Sequence, residues 1–128
     1  MILDSSAAAA ICLGGPDAAT FIDHLESADR IQMSAGTYLE AAIVIDARRP
    51  GAFDILAAAL DLEIVPVTHE QVELARDAYH RFGRGSGHPA GLNFGDCFAY
   101  ALAQQSGQPL LCKGEDFNKT DISLVAGG

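Results

Sequence analysis

Short unbroken apolar runs alternate along this chain with longer stretches of helical period. Met1-Ile2-Leu3 is an apolar run stopping at Asp4, the pattern of a buried strand. Ser5-Ser6 can cap the alanine-rich helix that follows, and Gly14-Gly15-Pro16 ends it. Pro16 at a first helical position, with Asp17 in the first turn, predicts a second helix to about Ala28. Arg30-Ile31-Gln32-Met33 reads as a strand, Ser34 to Arg49 as a third helix closed by Pro50-Gly51, and Phe53 to Leu62 as a fourth. Glu63 to Val67 returns to the strand pattern. Thr68 with Gln71 three residues on is a capping-box start for a helix to Phe82. Gly83 to Gly91 is a loop. Asn93 and Asp96 form a second capping pair, opening a helix to Ser106 that Gly107 ends; Pro109 to Cys112 reads as a strand and Ile122 to Val125 as a candidate last one.

Strands alternating with helices predict an α/β fold, a central and mainly parallel sheet of four to five short strands flanked by helices. With 128 residues, no internal repeat and no linker, residues 1–128 read as a single domain, long enough to bury roughly two thirds of the surface its unfolded form exposes. The 49% of hydrophobic and 20% of charged residues match an ordinary globular protein and not a disordered one. Apolar stretches are broken well before the ~18 residues of a membrane span, and Met1-Ile2-Leu3-Asp4 has no basic region of a signal peptide, so the cytoplasm is the expected location. Three cysteines without a CxxC pair argue against a disulfide framework or a zinc ribbon, and the four histidines show no zinc spacing.

The net charge of −9, from eight Lys and Arg against 17 Asp and Glu, excludes a bulk electrostatic binder of nucleic acid. Five of those eight cations nevertheless lie from Arg76 onward, so one local patch can still meet nucleic acid.

Four acids stand where acids are costly. Asp4 ends a buried strand. Glu40 has Ile43 and Val44 at the turn-spaced positions, so no neighbouring cation pairs with it. Asp96 opens a helix that is apolar all round, and Asp116 follows the strand Leu110-Leu111-Cys112 by four residues. Each has a plainer reading: Asp96 as a capping acid favoured by the helix dipole, Asp4 as a turn residue, Glu40 as a half-exposed helix acid, Asp116 as a loop acid beside Glu115. As a set they point elsewhere. Ligands of open parallel sheets bind beyond the carboxyl ends of the strands, where Asp4 and Asp116 lie and where the helix opened by Asp96 begins. Four carboxylates gathered there repel unless a cation sits among them, and an all-oxygen donor set selects Mg²⁺, or Mn²⁺ as its substitute, the usual partner of a phosphodiester. The loop Gly83-Arg84-Gly85-Ser86-Gly87 follows a helix and lacks the Lys-Ser/Thr of a phosphate loop, so it adds little.

Met-Ile-Leu-Asp-Ser-Ser-Ala, Ser-Ala-Gly-Thr-Tyr-Leu-Glu-Ala, Leu-Asn-Phe-Gly-Asp-Cys-Phe-Ala-Tyr-Ala and Pro-Leu-Leu-Cys-Lys-Gly-Glu-Asp-Phe, in order from residue 1 to about Ile122, resemble PIN-domain proteins, and more narrowly the VapC toxins of bacterial toxin–antitoxin pairs. The resemblance implies a single PIN domain, a Mg²⁺-dependent endoribonuclease, and inhibition by a cognate antitoxin. It carries the family's acidic quartet onto Asp4, Glu40, Asp96 and Asp116 as catalytic and metal-holding residues. Its small hydroxyl residue matches Ser6, with Ser5 where many members have Thr, and Asp121 is a further acid able to support the site. Lys113, Arg76, Arg81 and Arg84 are candidates for guiding the RNA backbone, with surface solvation the plainer alternative for each. The apolar surplus of the helices between Ser34 and Leu62 suggests an interface for a homodimer or an antitoxin helix. DNA contact is expected only through the antitoxin. Two other classes stay open: a PIN-like module that binds without cutting, and a small receiver- or phosphatase-type domain, for which Lys113 is only a loose match.

Overall fold

The computed structural model describes residues 1–125. Its sheet holds β1 (Ile2–Leu3), β2 (Gln32–Ser34), β3 (Glu63–Val65) and β4 (Leu110–Leu111), all parallel, in the order β3-β2-β1-β4. Six helices surround it: α1 (Ser5–Cys12), α2 (Ala18–Glu26), α3 (Ala35–Asp46), α4 (Ala52–Leu60), α5 (His69–Phe82) and α6 (Phe94–Ser106). This is the single α/β domain with a parallel sheet that the alternation of runs predicts.

The two-residue period of a strand divides the core. Ile2 pairs in register with Leu110, and both enter the apolar cluster made with α5 and α6. Leu3 and Leu111, the next pair, face the other way into the cluster made with α1 to α4. β1 and β4 are therefore buried on both faces, the condition of a sheet covered by helices on both sides, while the edge strand β3 leaves Ile64 exposed.

Several boundaries differ from expectation for identifiable reasons. Asp4, not Ser5 or Ser6, caps α1: its side chain accepts from Ser6 N. Pro16 lies in a turn, and α2 begins at Ala18 with Asp17 as its cap. Ser34 is both the last residue of β2 and the cap of α3, which stops at Asp46, short of Arg49. The strand after α4 ends at Val65 because Pro66 has no N–H to continue the ladder. Thr68 caps α5 as expected, but the Gln71 side chain turns away to donate to Gln105 Oε1 at 2.9 Å, so only half of the expected capping box forms. The candidate last strand, Ile122 to Val125, reduces to one parallel bridge of Leu124 with Leu110 on the outer side of β4.

Candidate active site

β1 delivers Asp4 to the carboxyl edge of the sheet, where the residue is 3% exposed. Its Oδ2 is held twice, accepting from Ser6 N at 3.1 Å and from Ser6 Oγ at 2.6 Å. The Ser6 hydroxyl in turn accepts from Lys113 N at 2.9 Å, tying the residue after β4 to the one after β1. Oδ1 is buried without any hydrogen-bond partner. An orphaned carboxylate oxygen is costly. Burial first, then the negative charges of Asp96 and Glu40, push the Asp4 carboxyl up to about 6 against the opposing pull of the Ser6 bonds.

Asp96 occupies the third position of α6 and completes the capping box with Asn93. Its N–H donates to Asn93 Oδ1 at 2.9 Å, and its Oδ2 accepts from Asn93 N at 3.0 Å. The plainer reading of this acid is thus true of one of its oxygens only. Its carboxyl is raised mainly by burial, with Glu40 and Asp116 adding to the rise and the Asn93 bond and the Arg84 cation opposing it.

Glu40 reaches in from α3. Its Oε1 accepts from Ser5 Oγ at 2.8 Å. Its Oε2 lies over the backbone of Gly95, in space that a β-carbon there would occupy. α3 and α6 meet closely one turn away too: a β-carbon on Gly36 would come 2.6 Å from the Phe98 ring. Asp116 stands exposed at the rim, just before a 3₁₀ turn, Phe117–Lys119, anchored by the buried Phe117. The Cys112 thiol, at the end of β4, lies in the field of Asp4, Asp96 and Asp116; burial and those charges push it up to about 12, so it stays a neutral S–H.

The structure therefore draws Asp4, Glu40, Asp96 and Asp116 into one electrostatic neighbourhood, with Ser6 bonded to the first of them. Among the described residues, no three His, Cys, Asp or Glu side chains converge into a ready-made metal cage. The carboxylates form an open cluster, as unscreened like charges should. Their chemistry nonetheless suits a hard cation: oxygen donors only, and a buried Asp4 Oδ1 that has no other partner.

Asp121 does not join this cluster. It accepts from Tyr100 Oη at 2.5 Å and from Arg81 Nη1 at 3.2 Å, and this engagement by Tyr100 and Arg81 replaces the supporting role at the acids expected for it. Arg81 is consumed in the same network, bonding Asp77, Asp121 and Tyr100 and lying 4.6 Å from the centre of the Phe82 ring. It has little left for a ligand. Arg84 is exposed and acts on Asp96 across space. Lys113 makes one exposed pair, 3.8 Å from Asp17. Arg76 borders a groove of about 510 Å³ with Phe94, Cys97 and Phe98, a groove lined by none of the four acids. A cavity of about 520 Å³ also opens at the amino ends of the strands, between Met1, Arg30, Gln32 and Pro109, and holds none of the four acids.

Sequence reasoning missed three contributors. Ser5 fixes Glu40, while Gly36 and Gly95 let α3 approach α6. A signal existed for the glycines, since glycine inside a helix costs stability relative to alanine and so calls for a packing reason.

Comparison with known proteins adds the following. The PIN domain family matches residues 1–123. The chain is 50% identical over 126 residues to Ribonuclease VapC28 of Mycobacterium tuberculosis, covering 95% of each chain, and 45% identical over 130 residues to Ribonuclease VapC of Mycolicibacterium smegmatis, covering 98% and 99%. Among solved structures, it is similar to Mycobacterium tuberculosis VapC20, described as a sarcin–ricin-loop-cleaving toxin, with a TM-score of 0.73 and 18% identity over 97% of each chain. A toxin–antitoxin complex from Klebsiella pneumoniae gives a TM-score of 0.69 at 14% identity, over 91% of this chain and 88% of that one. At those identities the structural likeness speaks to the fold alone.

Proposed function

The chain belongs to the PIN-domain family, in its VapC branch, and from that premise we propose that it is the Mg²⁺-dependent endoribonuclease toxin of a toxin–antitoxin pair. The observation that carries the reading is the buried Asp4, its Oδ1 unpartnered, in the field of Glu40 and Asp96 at the carboxyl edge of a parallel sheet. Curated relatives at up to 50% identity named as ribonucleases support the activity.

Asp4, Glu40 and Asp96 would hold the cation, with Asp116 completing the site from the rim. When bound, Mg²⁺, or Mn²⁺ in its place, neutralises phosphate charge and makes a nearby water more acidic. The chain's own residues do the rest. Ser6 and Ser5 fix the rotamers of Asp4 and Glu40, leaving Asp4 Oδ1 without a partner for a ligand to meet and Glu40 Oε2 seated over the Gly95 backbone. The capping box likewise fixes Asp96 through its Oδ2. Ionised carboxylates are acceptors only, so they orient a water by taking hydrogen bonds from it. Hydrolysis then forms a bond from water oxygen to phosphorus, breaks the phosphorus–oxygen bond to the leaving nucleotide, and returns a proton to that leaving oxygen. Arg84, whose charge acts on Asp96, and Lys113, whose N–H bonds Ser6, would guide the RNA backbone, with Arg76 a further candidate from the groove it shares with Phe94 and Phe98.

An antitoxin partner is supported by the relatives' family and by the acid cluster, which suits a basic side chain inserted from a partner. Homodimerisation is supported by the apolar positions α3 and α4 leave uncovered: Leu39 at 61% exposure, Ile43 at 63% and Ile55 at 73%. The acidic chain leaves DNA to the antitoxin. No helix among the described residues is long and apolar enough to cross a membrane, and the reading places the protein in the cytoplasm with its RNA.

The test is cleavage of total cellular RNA by the purified chain, with Mg²⁺ or with EDTA, beside Asp96→Asn, which keeps the capping acceptor. Discrete cuts that need both the metal and Asp96 are expected. No cleavage by a folded, antitoxin-free, metal-supplied chain would instead favour a PIN-like binding module.

A further inference from the structure

We infer that the groove along the outer face of α1 is a nucleotide subsite, seating the nucleotide of the RNA that adjoins the scissile phosphate. The inference rests on the ribonuclease reading and names a part of the substrate that the acids themselves do not touch.

Ser6, Ala9, Ala10 and Leu13 follow one another at helical spacing and line a cavity of about 310 Å³, completed by Gly15, Arg48 and Lys113. The groove begins at the acids, because the Ser6 hydroxyl at its inner end is the one bonded to Asp4 Oδ2, and Lys113 is joined to that hydroxyl through its backbone N–H. From Ser6 to Leu13 is seven residues, about 10 Å along a helix at 1.5 Å per residue, room for one nucleotide beyond the reacting bond. Ala9, Ala10 and Leu13 provide an apolar floor for a base or ribose. Arg48 and Lys113 place two cations at its sides, which suits a phosphate.

The charges are available. Arg48 is exposed and makes no ion pair among the described residues, whereas its neighbour Arg49 is occupied with Cys12 O at 2.8 Å. Lys113 is paired only with Asp17 at 3.8 Å, in the open, a contact worth little in water. In a chain of net charge −9, two of its eight Lys and Arg residues border this one cavity. Small side chains keep it open: a β-carbon on Gly15 would already come 3.3 Å from Ala10 O.

Two substitutions outside the acid cluster test it, Arg48→Ala, which removes a charge, and Ala9→Leu, which fills the floor. Both are assayed by Mg²⁺-dependent RNA cleavage and by RNA binding as salt is varied. Each should raise KM roughly fivefold while kcat stays within about twofold, and Arg48→Ala should reduce the salt slope of RNA binding by about one. Independently of catalysis, 5′-AMP titrated into the metal-free wild-type chain should shift the Leu13 and Gly15 amide NMR signals, and inorganic phosphate alone should shift them less. Arg48→Ala should weaken the 5′-AMP effect. Wild-type KM, salt slope and 5′-AMP response in both variants, in a preparation whose wild type cuts RNA, would overturn the subsite and leave the ribonuclease reading intact. Weakened antitoxin binding with unchanged RNA parameters would also overturn it and give the groove to the antitoxin. Absence of any wild-type cleavage would instead count against the ribonuclease reading itself.

Discussion

The Glu40 carboxylate rests in the space that a β-carbon on Gly95 would fill. α6 thus offers bare backbone one residue before Asp96, and α3 uses it to bring a second acid against the first. Gly95 is not in a left-handed conformation, so alanine fits the backbone there and would gain helix propensity. Gly95→Ala should therefore leave the melting temperature unchanged or higher while cutting activity by roughly tenfold or more, since the flexible end of Glu40 must move away. Wild-type cleavage in this variant would show that the placement of Glu40 is not critical.

Gly36→Ala should behave in the opposite manner. Its β-carbon meets the ring of Phe98, which cannot swing aside as freely as a carboxylate. Overpacking of this kind costs about 1–3 kcal/mol, read as a lower melting temperature in calorimetry or denaturant titration. Phe98→Leu in the same chain should recover part of the loss.

Asp4 links activity to pH and stability. Its folded pKa, about 6, lies above the ordinary 3.8, so the folded chain holds that proton more tightly than the unfolded one. The stability this contributes is complete below 3.8 and is lost as pH rises through about 6, amounting to roughly 3 kcal/mol at most. Asp4→Asn keeps a capping side chain and removes the titration. Without metal, its stability should overtake that of the wild type as pH rises through this window, while cleavage falls on the order of 100-fold or more. Added Mg²⁺ should raise the melting temperature of the wild type at neutral pH and leave that of Asp4→Asn unchanged.

Asp121 serves as a control. Its bonds are to Tyr100 and Arg81 and not to the acids. Asp121→Asn should lower stability by about 1 kcal/mol and leave kcat near the wild-type value. A large fall in kcat without unfolding would return Asp121 to the active site.

Ser6→Ala removes the hydroxyl that bonds both Asp4 Oδ2 and Lys113 N. Second partners of this kind are worth about 10- to 100-fold, and the loss should appear in kcat and in Mg²⁺ affinity measured by calorimetry. Recovery by Ser6→Thr, which restores the hydroxyl, would separate positioning from packing.

Local chemistry made much of this legible in sequence. The capping pairs Thr68 with Gln71 and Asn93 with Asp96 marked the starts of α5 and α6, and the apolar pairs Ile2-Leu3 and Leu110-Leu111 marked strands buried on both faces. Asp4 and Glu40 were conspicuous because nothing nearby could neutralise them. Contacts that depend on close approach between distant segments stayed hidden. Nothing in the spacing says that Gly95 faces Glu40, that Ser5 bonds Glu40 rather than capping α1, or that Asp121 is claimed by Tyr100. Pro16 misled because its fixed φ suits a turn as well as a first helical turn.

β1 is two residues long and sits between β2 and β4. Asp4 N donates to Leu111 O at 3.0 Å, and Ser6 is bound by the residue two positions further on. The site is therefore closed by contacts spanning more than a hundred residues of chain. A nascent chain that has not yet released β4 from the ribosome carries Asp4, Glu40 and Asp96 but lacks the strand that sets the first of them in place. The proposed RNA chemistry therefore waits until β4 has left the ribosome and docked beside β1.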